Sequence, residues 1–321
     1  MKKIGLLIVL LSLIFSTSIG SAFANSNGEA ISEKKSTIKL TDSEIERLIG
    51  LGFSEENIAD FSIEEYSHIK YQYEGLVGKL EKKDVSYIEV SYDHKTGTSK
   101  SKKINKEEYD KKVKEEKDKN VKEEEAKESK KSNLKDSVAS LFKSPRAHAA
   151  TSNSTSVGYL TQTTVLTRLY NSYGQPTGNY KAQNSFKWSK RPSWTREDTI
   201  AITHPSNVSK VVGSQFFSYT YTDGLGDHTT RQYTGDPEGS GISFKFDLAT
   251  IGNNVSPYNH RGYMYYNFYK GSSSREAQLF GHYVHTEAAG YTVSLGYGSI
   301  SVTVDPNDYT KAPNTWVNIA W

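Results

Sequence analysis

Apolar and polar residues alternate along much of the chain after residue 151. Phe217, Tyr219 and Tyr221 are separated by Ser and Thr, and the segments 242–248 and 300–304 repeat this pattern. A period of two residues is typical of a strand with one buried face. Clusters of Gly, Pro and Asp separate the apolar runs. The spacing predicts about nine or ten strands in an antiparallel β-sandwich of jelly-roll-like topology over residues 151–321.

The chain before this region has a helical pattern. Thr41, Ser54 and Ser62 stand where N-cap residues are found, each followed by acidic residues and by apolar residues three or four positions apart. We expect three short helices with a small shared core, which is marginal without a partner surface. The expected core residues are Leu48, Leu51, Phe53, Ile58, Phe61 and Ile69. Alternation over 85–92 then predicts a hairpin ending near residue 104, so residues 41–105 form a small α+β region.

Residues 106–136 are mainly Lys, Glu and Asp, and the two signs nearly cancel. Apolar residues are few, so this segment has no face to bury. It is either a solvated single helix with acid–base pairs one turn apart or a disordered spacer. In both cases residues 106–150 form a charged linker. Residues 25–40 are polar and have no period, and we expect them to be disordered.

The N-terminus has the pattern of a secretory signal peptide. Lys2 and Lys3 precede an apolar run over residues 4–15, which is too short to span a bilayer. Small residues follow, up to Ala24, after which a signal peptidase would cut. We expect residues 1–24 to be removed. The mature chain, without a transmembrane segment, is then secreted and either extracellular or associated with the cell wall.

A second small-x-small triplet, Ala147 to Ala149, lies before residue 151. It has the local chemistry of the first cleavage site, so Ala149 is a candidate second cleavage position. Residues 25–149 would then be a pro-region that is removed from a 151–321 product. The alternative is a short alanine-rich hinge. Sequencing the N-terminus of protein from culture medium distinguishes the two, since starts at Asn25 alone contradict a pro-region.

Composition excludes several classes of function. The chain has no cysteine, which excludes a disulfide framework and thiol catalysis and fits export from a Gram-positive bacterium. A formal net charge of +3 on 321 residues provides no general attraction to nucleic acid. We expect no cofactor and no metal site, because His282 and His285 are three residues apart and point to opposite faces of a strand. No hydrolase or metalloprotease motif occurs.

Several short features together resemble a group of exported proteins from Bacillus and its relatives. They are the Leu-Gly-Phe-Ser segment at 51–54, the charged middle, the Ala-x-Ala junction, and then Phe186-x-Trp188, Pro192 and the Asp-Thr-Ile-Ala-Ile segment at 198–202. The resemblance covers roughly the first two thirds of the chain and includes no catalytic motif. It implies a cell type and secretion, and no particular activity.

One predicted strand pair offers a candidate ligand surface. If residues 269–277 form the turn of a hairpin, Met264, Tyr266 and Phe268 face the core and the opposite face is rich in tyrosine. Flat rings beside Arg, Asn and His suit stacking on sugars and hydrogen bonding to hydroxyl groups. The candidate ligand-binding residues are Arg261, Tyr263, Tyr265, Asn267, Tyr269, Tyr283 and His285. The alternative is that a second sheet or the pro-region covers this face.

A second candidate surface lies between residues 186 and 196, where aromatic and cationic residues interleave around a proline. Such a segment suits an anionic polymer such as teichoic acid or a lipid interface. The alternative is that the tryptophans anchor the core while the cations solvate a loop. The candidate residues are Trp188, Lys190, Arg191, Trp194 and Arg196.

These observations favour a secreted, non-enzymatic protein that binds a polysaccharide or another cell-wall polymer. The first alternative is a membrane-active toxin or antimicrobial protein released from a pro-form, because the segments 214–222 and 299–303 alternate with Ser and Thr. The second alternative is a polysaccharide hydrolase, which needs two carboxylates that face one cleft.

Overall fold

A computed structural model describes residues 38–93, 96, 98–132, 155–190, 196–238, 240–249, 257–272, 275–286, 290–304 and 309–321. Most of these residues are in antiparallel strands, and helices lie near the N-terminus. The predicted fold class, an antiparallel β-sandwich after a small helical region, is confirmed. The signal peptide with Ala24, the junction at Ala149, and the candidate residues Arg191 and Trp194 lie outside the described residues.

Four helices and sixteen strands follow one another along the described chain. The helices are α1 (Asp42–Gly50), α2 (Glu55–Ala59), α3 (Ile63–Gln72) and α4 (Lys106–Ser132). The strands are β1 (Leu76–Asp93), β2 (Thr98–Ile104), β3 (Thr155–Asn171), β4 (Pro176–Lys190), β5 (Glu197–Thr203), β6 (Val208–Lys210), β7 (Phe216–Asp223), β8 (Gly226–Gln232), β9 (Asp236–Glu238), β10 (Gly241–Asp247), β11 (Tyr258–Lys270), β12 (Glu276–Thr286), β13 (Val293–Gly296), β14 (Ser299–Val302), β15 (Tyr309–Lys311) and β16 (Thr315–Ala320).

The strands form two main sheets and one small hairpin. The larger sheet has the order β2-β1-β3-β4-β11-β7-β8, with β6 paired to β11. The smaller sheet has the order β15-β12-β5-β10-β9, with β16 paired to β12, and β13 pairs with β14. The chain passes repeatedly from one main sheet to the other, as at β4–β5 and β11–β12.

The main core lies between the two sheets. It contains inward-facing residues of several strands, including Phe186, Phe217, Phe244 and Met264. The alternating residues that predict β7 and β10 enter this core because every second side chain of a strand points to the same face. Phe217 of one sheet stacks on Phe244 of the other, with ring centroids 5.4 Å apart.

The strands of the predicted α+β region belong to the larger sheet. β1 pairs with β2, as the predicted hairpin requires, and it also pairs with β3 from Leu76↔Asn171 to Asp93↔Thr155. The sandwich therefore begins at β1 and not at residue 151. The expected division between residues 41–105 and 151–321 is wrong for the strands, because a long strand pairing joins the two regions.

Residues 38–75, which contain α1, α2 and α3, pack on the outer face of the larger sheet, and we call them the cap. The apolar residues predicted to form the small helical core are buried there: Leu48, Leu51, Phe53, Ile58, Phe61 and Ile69. Their cluster continues into residues of β3, β7 and β11. The sheet is thus the partner surface that so small a helical core requires.

Each predicted helix start in the cap is confirmed. The Thr41 hydroxyl accepts a hydrogen bond from the amide of Glu44 at 3.3 Å, and the Glu44 carboxylate accepts one from the Thr41 amide at 2.9 Å. Ser54 and Asn57 form the same reciprocal pair. The Ser62 hydroxyl caps α3. These bonds satisfy amide groups that have no partner inside a helix.

The cap lies very close to the sheet at two glycines. A Cβ atom on Gly50, at the end of α1, would lie 2.7 Å from the carbonyl oxygen of Gly78 on β1. A Cβ on Gly78 would lie 2.6 Å from the carbonyl oxygen of Gly50. The backbones approach so closely that neither position has room for a side chain.

The charged segment forms a single helix as far as residue 132, which confirms one of its two interpretations. Tyr109 attaches the first turns of α4 to the sheet by packing against Tyr87 and Tyr159. Acid–base pairs one turn apart, such as Lys106 with Asp110, lie on its surface. None of the described helices is both long and apolar enough to span a membrane.

Candidate functional site

A tyrosine-rich face on β11 exists, as the strand period predicts. Its residues alternate with Met264, Tyr266 and Phe268, which fill the core between the sheets. The residues of this face are Arg261, Tyr263, Tyr265 and Asn267 of β11, with Lys187, Ser185, Gln183 and Lys181 opposite them on β4. We call these eight residues the covered face.

The cap buries this face, so the prediction of an open ligand surface is wrong. Tyr265 has no exposed area, and Arg261, Tyr263 and Asn267 are 6%, 3% and 8% exposed. Phe53 of the cap contacts Tyr263 and Tyr265 edge-on, with ring centroids 5.5 and 5.8 Å apart. The sequence leaves two possible covers for this face, a second sheet or the N-terminal pro-region. The structure shows the N-terminal region there.

Polar groups of the covered face are matched by polar groups of the cap. The guanidinium of Arg261 donates hydrogen bonds to both carboxylate oxygens of Asp60. The hydroxyl of Tyr265 donates to Oε1 of Gln72 at 2.9 Å. A buried polar group left without a partner costs about 1–3 kcal/mol, and these contacts avoid that cost when the cap docks.

Burial and neighbouring charges shift the pKa values at this interface. Burial raises the pKa of Glu65, which accepts a hydrogen bond from Tyr263. The pKa of Tyr263 lies well above its ordinary value, first because of burial and then because of Glu65. Burial opposes the charge of Arg261, but Asp60 outweighs it and the pKa of the guanidinium is raised. Tyr263 therefore stays protonated and Arg261 stays charged.

Lys181 is a buried lysine that sequence reasoning missed. Its ammonium group donates to the carbonyl oxygen of Leu51 at 2.8 Å. It lies 3.6 Å from the ring centroid of Phe53 and 4.8 Å from that of Tyr265. Burial lowers its pKa well below the ordinary value. The sequence signal for it is its position one residue before Ala182, which faces the core and so turns Lys181 outward.

Tyr283 and His285 do not belong to the covered face. They lie on β12, which pairs with β5 of the smaller sheet, whereas β11 belongs to the larger sheet. The predicted pairing of these two strands as a hairpin is wrong. In a sandwich, a short connection can lead to a strand of the opposite sheet as well as to a neighbouring strand of the same sheet. Tyr283 donates a hydrogen bond to the buried carboxylate of Asp198, and Nδ1 of His285 lies 2.9 Å from the same group. Tyr269, at the end of β11, is 45% exposed.

Trp188 is the one described residue of the second candidate surface that the structure buries. Trp188 is buried in the core, and its indole N–H donates to the hydroxyl of Tyr283 at 2.9 Å. This residue anchors the core, which is the alternative considered from the sequence. Lys190 pairs with Glu116 of α4 at 2.7 Å. Arg196 has an exposed side chain.

The two histidines of β12 have separate surroundings. Nε2 of His282 lies 2.8 Å from the hydroxyl of Thr203, and its Nδ1 lies 2.8 Å from Oδ1 of Asn314. Burial lowers the pKa of His282 to about 4. His285 instead contacts Asp198. Among the described residues, no group of three or more His, Asp or Glu is placed to hold a metal ion.

An open cleft of about 440 Å³ lies where the cap meets the start of β1. The lining residues that could contact a ligand are Arg47, Ser67, Lys70, Tyr71, Glu74 and Val77. Tyr71 is 82% exposed and Val77 is 50% exposed. Sequence reasoning missed this cleft because its residues come from two helices and a strand, and no single period joins them.

More exposed apolar side chains lie at the same end of the larger sheet. Tyr173, in the turn between β3 and β4, is 87% exposed, and Val212, after β6, is 98% exposed. The strand register brings these turns to one end, because the start of β1 pairs with the end of β3 and the end of β11 pairs with β6 and the start of β4. These turns therefore bring exposed apolar side chains to one end of the larger sheet.

Comparisons with known proteins do not assign the chain to a family. No family model and no curated protein matches it. Among solved structures, the enzyme described as "AvmM Catalyzes Macrocyclization in Alchivemycin A Biosynthesis" is 11% identical with a TM-score of 0.22, over 43% of this chain and 78% of that chain. A structure described as "Pore forming protein" is 8% identical with a TM-score of 0.20, over 51% and 84%. The Clostridium perfringens delta-toxin is 6% identical with a TM-score of 0.19, over 53% and 84%. Likenesses at these scores carry no argument about this chain.

Proposed function

We propose that this is an exported, non-enzymatic protein that binds a polysaccharide of the cell envelope or the extracellular space through the open cleft beside Tyr71. The observation that carries the proposal is the exposed ring of Tyr71 on the wall of that cleft. Export is supported by the signal-peptide pattern of residues 1–24. The cleft replaces the covered face as the proposed binding site of the folded chain.

The chemistry of the cleft suits a sugar polymer. An exposed aromatic ring stacks on the apolar face of a sugar, and polar side chains around it bind hydroxyl groups. Arg47 and Lys70 supply donors, Glu74 supplies an acceptor, and Ser67 supplies both. The guanidinium of Arg47 also donates to a backbone carbonyl of the cap, which fixes its position. A long polymer can cross an open cleft of this kind without having to be enclosed.

Retention on insoluble polymers tests this proposal. The mature chain is incubated with peptidoglycan, with walls that carry teichoic acid, and with common glycan resins. We expect retention on at least one of them and its loss in Tyr71→Ala. Tyr297→Ala is the matched control, since Tyr297 is 51% exposed and lies outside the cleft. No retention on any polymer, or equal retention of both variants, contradicts the proposed site.

A membrane-active protein is the second candidate function. The observation in its favour is the exposure of Tyr173 and Val212 at turns that share one end of the sheet. Tyrosine and short apolar side chains at such tips suit the interface of a bilayer. Dye release from liposomes distinguishes the two functions. If the protein releases dye and Val212→Asp abolishes the release, the result supports membrane activity. If the liposomes stay intact, the result contradicts this second function.

Hydrolysis of a polysaccharide stays a prediction from the sequence. An assay for new reducing ends on each polymer that retains the protein separates hydrolysis from binding alone.

A further inference from the structure

The cap and the larger sheet carry opposite charges where they meet. Three cations of the sheet each contact an acidic residue of the cap. These pairs are Lys187–Glu56, Arg261–Asp60 and Arg231–Glu64. Lys181, whose pKa is lowered by burial, contacts a backbone carbonyl oxygen of the cap. In the three ion pairs the sheet supplies the positive group. Arg261 also lies 3.6 Å from Asp227 of the sheet's own β8, so the three cations and this one carboxylate leave a net positive charge under an acidic cover.

Stability alone does not account for this distribution of charge. An ion pair that is buried loses about as much by desolvation as it gains, and an apolar pair of the same size is often at least as stable. An exposed pair contributes about 0–1 kcal/mol. The core between the two sheets of this same protein is built from aromatic and aliphatic side chains. The covered face instead combines tyrosine rings with cations, which are the groups that bind anionic sugars.

Among the described residues no strand pairing holds the cap to the sheet, and the two are joined by side-chain contacts and one shared apolar cluster. The cap precedes β1 in the chain, and the sheet pairings are made by residues after Gly75. The connection is a turn at Glu74 and Gly75, both exposed. Gly75 has a φ of 67°, and no atom lies within 4 Å of the position that a Cβ would occupy. The connection is therefore an open turn, suited to act as a hinge.

We propose that the cap is a detachable, self-inhibitory cover, and that the covered face binds an anionic polysaccharide when the cap moves away. In the uncapped chain the rings of Tyr263 and Tyr265 stack on sugar units. Lys187, Arg231 and Arg261 bind the carboxylate or phosphate groups that Glu56, Glu64 and Asp60 imitate in the capped chain. The capped chain binds more weakly, because its apparent affinity is reduced by the small fraction of molecules that are uncapped.

This surface is independent of the open cleft. Tyr71, Arg47 and Lys70 belong to the cap and move with it. Loss of cleft binding in Tyr71→Ala therefore leaves binding by the uncapped face unchanged, so the two proposals fail separately. A ligand of the cleft also favours the capped chain, because a ligand shifts the population toward the state that it binds.

A protease site inserted between Glu74 and Gly75 of the mature chain tests the proposal. The chain is cut, washed at high salt to remove the cap, and tested on alginate, on teichoic acid and on neutral dextran. We expect the cut chain to bind alginate, teichoic acid or both at least about tenfold more tightly than the uncut chain does, because the cut uncovers positive charge. We expect no binding to dextran. Tighter binding to alginate identifies carboxylate as the preferred anion, and tighter binding to teichoic acid identifies phosphate. A cut chain that keeps its sandwich fold but binds no tighter than the uncut chain overturns the proposal.

Charge reversal in the uncut chain provides a second test. Glu56→Lys and Glu64→Lys place like charges opposite Lys187 and Arg231, so we expect a weaker cap and tighter binding to the same polymer. Glu55→Lys is the matched control, because Glu55 is exposed at the start of the same helix and adds the same charge away from these pairs. Equal binding by Glu55→Lys and Glu56→Lys overturns the proposal.

If the cut chain unfolds, hydrogen exchange of the uncut chain tests whether the polymer selects uncapped molecules. Amides of α1, α2 and α3 are measured with and without alginate or teichoic acid in the uncut mature chain that carries Tyr71→Ala, so that binding at the cleft does not mask the effect. We expect the polymer to increase their exchange, because it selects uncapped molecules. Unchanged or slower exchange in these helices overturns the proposal.

Discussion

The hydroxyl of Tyr263 on β11 donates a hydrogen bond to the carboxyl group of Glu65 on α3, and both side chains are buried. These residues are 198 positions apart in the chain. Their contact joins the cap to the sheet at the centre of the face that the strand period marks as tyrosine-rich. The cap is therefore fixed by specific polar contacts as well as by the apolar residues of its helices.

Replacing Glu65 with Gln should remove one source of pH dependence. Burial raises the pKa of Glu65 above the ordinary value of 4.5, so the folded chain keeps a proton that the unfolded chain releases. The stability that this group contributes is complete below the unfolded pKa and is lost as the pH rises through the raised folded pKa. The free energy of unfolding, measured with urea from about pH 4 to pH 8, should decline less in Glu65→Gln than in the wild type.

Glu55→Gln is the control for this measurement, since Glu55 is exposed. The comparison uses the difference between each variant and the wild type, so other titrating groups cancel. If the wild type and Glu65→Gln change in parallel over the whole interval, the carboxyl group is not buried as described.

His282 should make the protein less stable in acid. Burial lowers the pKa of His282 to about 4 from the ordinary value of 6.5. The pKa of His282 is lower in the folded chain than in the unfolded chain. The contribution of His282 to the free energy of unfolding is therefore complete above pH 6.5 and is lost as the pH falls through about 4. The shift corresponds to roughly 3 kcal/mol. His282→Gln should therefore lose less stability than the wild type on acidification, as measured by urea unfolding. An equal loss in the two proteins would show that another group causes acid sensitivity.

Gly50→Ala should destabilise the protein although alanine favours a helix. The added Cβ would lie 2.7 Å from the carbonyl oxygen of Gly78, which belongs to the backbone and cannot rotate away. Overpacking of this kind costs about 1–3 kcal/mol, against a gain of about 1 kcal/mol in helix propensity. Thermal unfolding measures the net loss. Gly224→Ala, where no atom lies within 4 Å, should be close to neutral. A stabilised Gly50→Ala variant would mean that the cap does not lie so close to β1.

Local signals in the sequence predict the elements well. Thr41, Ser54 and Ser62 cap helices because their hydroxyl groups accept hydrogen bonds from first-turn amides. Alternation places Tyr263 and Tyr265 on one face of a strand because the strand period is two. These properties depend on residues a few positions apart, which the sequence displays directly.

The remaining features depend on contacts between distant residues. The period of two predicts that Tyr263 and Met264 point to opposite faces of the strand, but it gives no information on what packs over Tyr263. The sequence predicts Tyr283 on the same face because β11 and β12 are consecutive in the chain, but the two strands belong to different sheets. The cleft joins Arg47, Tyr71 and Val77 from three elements, so its residues share no pattern in the sequence.

Nitration of tyrosine, read residue by residue with mass spectrometry, tests most directly the claim that the cap covers the aromatic face. The native chain is treated with tetranitromethane near pH 8, where the phenol of an exposed tyrosine begins to ionise. Tyr71 and Tyr173 should react quickly, and Tyr263 and Tyr265, buried and with pKa values well above the ordinary one, should react only after unfolding in urea. Nitration of Tyr263 or Tyr265 in the native chain at the rate of Tyr173 would contradict the account.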